Sequence, residues 1–178
     1  MEHVPWDRRS RRAGSTRRSV IAAVAALTLV AVAAAGMAAT LAPGPNGCPT
    51  NKSLKTAPIA DLAPPARTQI EAFDVLSGPI NAGTQTFTMK VRVGSTCGVD
   101  IKGASVYVTA VPYNQFDIPA ERLTGSDGTA TLTFNRLSNF PASSKQQQLT
   151  LFIRATKPGE NPLAGVSTRR LVAIPFGS

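Results

Sequence analysis

The feature that most constrains this chain is a run of 24 residues, Ser19 to Ala42, without a charged side chain. A helix of about 20 apolar residues is long enough to cross the ~30 Å hydrocarbon core of a membrane. Six arginines precede the run: Arg8, Arg9, Arg11, Arg12, Arg17 and Arg18. Because basic flanks stay on the cytoplasmic side, we expect residues 1–18 to be a cytoplasmic tail and residues 19–42 a single-pass transmembrane helix. The remainder of the chain is then extracytoplasmic, at the cell membrane.

A cleaved export signal is the alternative interpretation of the same run. Signal peptides have apolar cores of about 7–15 residues followed by small residues at the cleavage site. This run is longer, but it offers Gly36, Ala38 and Ala39 for cleavage. Residues 16–21 also resemble a twin-arginine export motif. Cleavage would give a secreted soluble binding protein, and twin-arginine export would suit an accessory subunit of an exported enzyme complex.

Residues 43–67 have the composition of a proline-rich linker. The prolines of this segment are Pro43, Pro45, Pro49, Pro58, Pro64 and Pro65. Proline lacks the N–H group that helices and central strands require, and it stiffens a chain toward an extended form. We therefore expect a spacer between the membrane and a folded domain.

The two cysteines of the chain, Cys48 and Cys97, both lie beyond the apolar run. An even number of cysteines in an oxidising compartment predicts a disulfide. A bridge that closes a loop of about 50 residues stabilises a protein by roughly 4 kcal/mol when it restricts the unfolded chain. Two free thiols are the alternative.

After residue 67 the sequence alternates with a period of two. From Thr86 to Val93, apolar side chains occupy every second position, which predicts a strand with one buried face. The same alternation recurs, more weakly in the last three cases, in residues 105–111, 129–134, 148–154, 70–76, 116–118 and 170–174. No segment after residue 42 has helical periodicity. We expect residues 68–178 to form one all-β domain, an antiparallel immunoglobulin-like β-sandwich.

Two short motifs carry a family resemblance. Residues 103–109 read Gly-Ala-Ser-Val-Tyr-Val-Thr, and residues 124–132 read Thr-Gly-Ser-Asp-Gly-Thr-Ala-Thr-Leu. Together they resemble bacterial immunoglobulin-like domains of the invasin/intimin type, in which such a strand leads to an Asp-Gly turn that opens the next strand. The resemblance covers roughly residues 68–176. It implies an immunoglobulin-like fold with residues 149–155 and 167–174 as the final hairpin.

The ionisable residues argue against several classes of function. The single histidine is His3, on the predicted cytoplasmic side, so no histidine-dependent catalysis or metal binding is expected outside. Residues 43–178 contain 13 basic and 8 acidic residues, a mild positive excess. They lack the basic runs with interleaved aromatic residues that nucleic-acid surfaces use. We expect no enzyme activity, no cofactor, no metal and no nucleic acid.

Three residues are candidates for an interaction surface. Phe152 falls on the polar face of its predicted strand, where an aromatic side chain can mark a binding site. Packing of Phe152 beneath a loop such as residues 137–141 is the alternative. Arg169 and Arg170 begin the last predicted strand and suit an anionic partner, although charges at a sheet edge also prevent aggregation. We therefore expect an anchored, non-enzymatic interaction or structural module of the cell envelope. Its partner would be an envelope protein or an anionic cell-wall polymer.

Overall fold

The computed structural model describes residues 42–51 and 54–177. The predicted cytoplasmic tail lies outside the described residues, as does the predicted transmembrane or signal segment apart from Ala42. Within the two described ranges, no helix has the length and hydropathy needed to cross a bilayer.

The described chain is all-β and contains nine strands and one short 3-10 helix, Ile59–Asp61. The strands are β1 (Thr56–Pro58), β2 (Thr68–Val75), β3 (Thr86–Ser95), β4 (Asp100–Lys102), β5 (Ser105–Val111), β6 (Arg122–Leu123), β7 (Thr129–Asn135), β8 (Gln148–Thr156) and β9 (Thr168–Pro175). Six of the predicted segments are confirmed as strands. The segment 116–118 is not a strand, because Phe116 makes only an isolated bridge to Arg136.

The first sheet contains five strands and is built around β3. Strand β3 pairs with β2 on one side and with both β7 and β4 on the other, in antiparallel fashion. Strand β1 extends the sheet beyond β4 in parallel orientation, which departs from the purely antiparallel arrangement expected. A bulge between Ile70 and Ala72 leaves Glu71 without a partner in β3, so the side chain of Glu71 covers Gly94.

The second sheet contains four antiparallel strands in the order β6-β5-β8-β9. Its two long pairings are continuous, from Ser105 opposite Thr156 to Val111 opposite Thr150, and from Gln148 opposite Pro175 to Ala155 opposite Thr168. These registers fix which side chains share a face, because successive side chains of a strand point to opposite sides.

The two sheets contribute to one hydrophobic core. In β3, Phe87, Met89, Val91 and Val93 are fully or almost fully buried. From the second sheet, Val106, Val108, Leu149, Leu151 and Ile153 are fully buried in the same cluster. At the end of the core where β3 begins, the rings of Phe87 and Phe134 stack at 4.5 Å between centroids, and Phe116 meets Phe87 edge-on.

The second half of the predicted linker contributes to this core. Ala57 in β1, Ile59 and Leu62 are buried with the strands of both sheets. Lys157, which follows β8, donates hydrogen bonds to the carbonyl oxygens of Ala60 and Leu62. The proline-rich composition favoured a linker and did not indicate β1. This strand has only three residues, too few to show an alternation, and it ends at Pro58.

The predicted disulfide between Cys48 and Cys97 is confirmed, with the two Cα atoms 5.8 Å apart. Cys97 lies in the turn between β3 and β4, so the bridge holds the start of the described chain against one end of the central strand. The backbone N–H of Ala63 also donates to the carbonyl of Gly47, which ties the same segment to the residues after the 3-10 helix.

Removal of this disulfide should lower the free energy of unfolding. The closed loop spans 49 residues, and for this length the unfolded chain loses conformational freedom equivalent to about 4 kcal/mol. We expect the free energy of unfolding of the double variant Cys48→Ser/Cys97→Ser to be lower by about 4 kcal/mol. The midpoint of its urea unfolding curve, measured by far-UV circular dichroism, should fall accordingly. The wild-type protein treated with a reductant should match the variant. Equal stability with and without reductant would contradict the prediction.

A second prediction concerns the buried hydroxyl of Thr124. This group donates to the carbonyl of Ile101 at 2.5 Å and accepts from the N–H of Ala104 at 3.0 Å, so it joins β4, the residue before β5 and the segment before β7. Thr124→Val keeps the shape and removes the hydroxyl partner of both backbone groups. We expect a loss of about 2 kcal/mol or more in the free energy of unfolding.

The matched control for this substitution is Thr133→Val. Thr133 is exposed, and its hydroxyl meets only the hydroxyl of Thr88, at 3.1 Å. Its replacement should change the stability by less than about 0.5 kcal/mol. Similar effects of the two substitutions in a urea titration would show that the buried hydroxyl has no special role.

Candidate functional site

The outer face of the four-stranded sheet carries two of the three residues that the sequence indicated, Phe152 and Arg169. In β8, Leu149, Leu151 and Ile153 are buried, so Phe152 and Arg154 point away from the core. By the same alternation, Arg169 and Leu171 of β9 and Tyr107 of β5 lie on this outer side. We call the surface formed by Tyr107, Phe152, Arg154, Arg169 and Leu171 the arginine face.

The strand registers arrange the arginine face in two rows. Phe152 stands opposite Leu171 on one side and Thr109 on the other, which forms an apolar row. Arg154 stands opposite Arg169 and Tyr107, which forms a cationic row beside it. Because two residues of a strand span about 6.6 Å, the two rows lie about that far apart. Leu171 is 63% exposed, Phe152 is half-buried and Thr109 is buried, so the row is open to solvent at its Leu171 end.

Arg154 is held in place by its neighbours. Its Nη2 atom lies 2.9 Å from Oε1 of Glu121, and its guanidinium carbon lies 4.7 Å from the centre of the Tyr107 ring. The hydroxyl of Ser105 makes a short hydrogen bond to the other oxygen of Glu121. The Nε atom of Arg154 is buried and has no acceptor among the residues that the structure describes. These contacts fix the direction of the guanidinium group without using all of its donors.

Arg169 is held much more loosely. Its Nη2 atom approaches the carbonyl oxygen of Pro162 at 3.4 Å, and the residue is exposed. Like charges directly opposite each other on neighbouring strands destabilise a sheet. The pair of Arg154 and Arg169 is such an arrangement, and Glu121 compensates only one of the two charges.

Arg170 has a different role from the other two arginines. It has the same parity in β9 as the buried Val172 and Ile174, and so it does not belong to the arginine face. Its Nη1 atom donates to the carbonyl of Ile70 at 3.0 Å, at the bulge of β2. Arg170 therefore joins the edges of the two sheets.

Charge is distributed unequally between the two sheets. The strands of the four-stranded sheet, as described, contain no acidic residue and four arginines, Arg122, Arg154, Arg169 and Arg170. The strands of the five-stranded sheet balance three acidic against three basic residues, Glu71, Asp74, Asp100, Lys90, Arg92 and Lys102. Among the strand residues, the excess of positive charge therefore lies in the four-stranded sheet.

The carboxylates near the five-stranded sheet have local partners. Burial, and the nearby Asp100 carboxylate, raise the pKa of Glu71, while Arg92 opposes this shift. Hydrogen bonds from the side chain and backbone of Thr129 lower the pKa of Asp127, which also lies 3.7 Å from Lys90. The contacts between Asp127 and Thr129 stabilise the predicted Asp-Gly turn, in which Gly128 has the positive φ of 70° that glycine tolerates. These groups serve the fold of the turn and the bulge.

Two pockets offer alternative sites. One of about 330 Å³ adjoins the arginine face and is lined by Ser105, Glu121, Leu123, Arg154, Lys157 and Glu160. Its charges are paired, Arg154 with Glu121 and Lys157 with Glu160. Another, of about 570 Å³, lies over the disulfide, and none of its described lining residues is ionisable. Among the described residues, no group of three or more His, Cys, Asp or Glu side chains is placed to hold a metal ion.

No protein-family model matches this chain, and no curated protein or solved structure shows a significant similarity to it. The geometry of its own residues therefore carries the functional argument.

The two adjacent arginines should differ in their effect on stability. Arg170→Met removes the contact to Ile70 and leaves the carbonyl at the bulge without that donor, so we expect a loss of about 1 kcal/mol in the free energy of unfolding. Arg169→Met should change it by less than about 0.5 kcal/mol. Urea titrations of both variants test this difference. A larger loss for the Arg169 variant would reverse the assigned roles.

Proposed function

We propose that this protein is a non-enzymatic interaction module of the cell envelope. Residues 19–42 hold it in the cytoplasmic membrane, and an immunoglobulin-like β-sandwich presents the arginine face outside. The observation that carries the proposal is the arginine face itself. It combines the exposed Leu171 and the half-buried Phe152 with the uncompensated charge of Arg169, while the strands of the other sheet balance their charges.

The disulfide supports the location. Disulfides such as Cys48–Cys97 form and persist in oxidising compartments and are rare in the cytosol. The uncharged run and its arginine flank precede the bridged domain, as expected for a domain that has been carried across a membrane.

The two sheets support the immunoglobulin-like interpretation. Residues 105–109 of the first resemblance motif lie in β5, and the Asp127-Gly128 turn of the second motif opens β7. The N–H of Thr129 donates to Oδ1 of Asp127 at 3.1 Å, so the turn has the chemistry that the resemblance implies. Folds of this class host many functions, so the proposal rests on the surface and not on the fold.

The side chains outside the predicted membrane segment explain why we propose binding and not catalysis. The one histidine of the sequence is His3, and the two cysteines are joined. The carboxylate beside the arginine face, that of Glu121, is occupied by Ser105 and Arg154. Binding therefore accounts for this surface better than acid–base chemistry does.

A cysteine-labelling experiment in intact cells tests both parts of the proposal. Leu171→Cys places a thiol on the arginine face, and Thr131→Cys places one on the exposed face of β7 in the other sheet. Both variants would be treated with a membrane-impermeant maleimide that carries a photo-crosslinker. We expect both thiols to react, because both lie outside, and we expect a crosslinked adduct only from position 171.

Each half of the result has its own meaning. If neither thiol reacts until the cells are lysed, the domain is not displayed outside and the proposal fails. If both positions give the same adducts, or position 171 gives none, the arginine face is not the contact surface.

A further inference from the structure

The charges of the arginine face favour an anionic occupant. Arg154 and Arg169 stand directly opposite each other, with one carboxylate, that of Glu121, to compensate them. A carboxylate or phosphate placed between two guanidinium groups would turn this repulsion into attraction, and arginine binds such groups through two parallel hydrogen bonds. The face therefore has an electrostatic reason to be covered by negative charge.

A second copy of the chain does not fit this requirement. A symmetric dimer places the same patch of both subunits together, so arginines would face arginines. The strands of the four-stranded sheet supply no acidic residue to separate them. The charge pattern thus indicates a different, acidic molecule.

The occupant must also cover the apolar row. Phe152 and Leu171 lie about 6.6 Å from the cationic row, on the same flat surface. A simple polyol phosphate or a free anion would satisfy the arginines and leave these side chains in water. A saccharide ring that bears a carboxylate presents both an apolar C–H surface and the charge.

A peptide is the less suitable acidic partner. Extended peptides commonly bind by adding a strand to an open sheet edge. The arginine face is the outer side of the sheet and not an edge, and the backbone of β8 beneath it is already paired with β5 and β9. A peptide on this face would have to bind by its side chains alone.

We propose that the arginine face binds a carboxylate-bearing polysaccharide, with a saccharide ring over Phe152 and Leu171 and its carboxylate at Arg154 and Arg169. This inference rests on the proposed function, because it assumes that the face meets envelope material. It adds the chemical class of the partner.

Binding can be measured by titration calorimetry with the full chain in detergent. The probes are three defined polyuronates: polygalacturonate, alginate and hyaluronan. We expect at least one of them to bind, with an affinity that falls as salt rises. Methyl esterification removes the charge and keeps the ring, so the esterified form of that polymer should bind at least about tenfold more weakly.

Variants identify the surface. Arg169→Gln should weaken polyuronate binding about tenfold or more, because it removes a charge-assisted contact and leaves the fold intact. Leu171→Ser should weaken it through the apolar row. The matched control is Arg92→Gln, which removes an exposed arginine from the outer face of the other sheet and should leave the affinity unchanged.

Three outcomes would overturn the inference: no polyuronate binds better than its neutral form, Arg92→Gln weakens binding as much as Arg169→Gln, or polyglutamate or vesicles of anionic phospholipid bind more tightly than every polyuronate. If any of these outcomes is found while position 171 still crosslinks in cells, the proposed function stands and only the polysaccharide is wrong. Failure of both experiments removes both proposals.

Discussion

The burial of one side of β3 is the constraint on which the rest of the structure depends. This strand is hydrogen bonded to β2, β4 and β7, and its apolar side chains fill the centre of the common core. A shift of its register by one residue would turn Phe87, Met89, Val91 and Val93 toward water. The neighbouring strands and the second sheet pack against the apolar face that this alternation creates.

Much of this architecture could be predicted from the sequence, and the omissions have physical reasons. The long strands are recognisable in the sequence because one of their faces is buried and the other is exposed to solvent. Strands β1, β4 and β6 have two or three residues each, too few for any periodicity to show. The alternation also says nothing about partners, so the parallel pairing of β1 with β4 and the bulge at Glu71 could not be foreseen.

The candidate site was predictable in part for similar reasons. The parity of β8 already places Phe152 on the outer side, and the same parity places Arg154 there. That Arg154 faces Arg169 depends on the register of two strands and on the length of the loop between them, which no local pattern reveals. Arg169 and Arg170 look equivalent in the sequence. Only their parity in β9 separates a surface group from one that joins the two sheets.

In the proposed arrangement, with the domain tethered through its N-terminus, the disulfide has a mechanical consequence. Tension on the chain before Cys48 passes through the sulfur bridge to Cys97, beside the end of the central strand, and bypasses the residues between them. Strands β1, β2 and β3 lie inside this covalent ring, so a pull from that side cannot peel away the three-residue β1 first. The load is instead applied to the strand with the most hydrogen-bonded neighbours, which is the part of the domain best able to resist it.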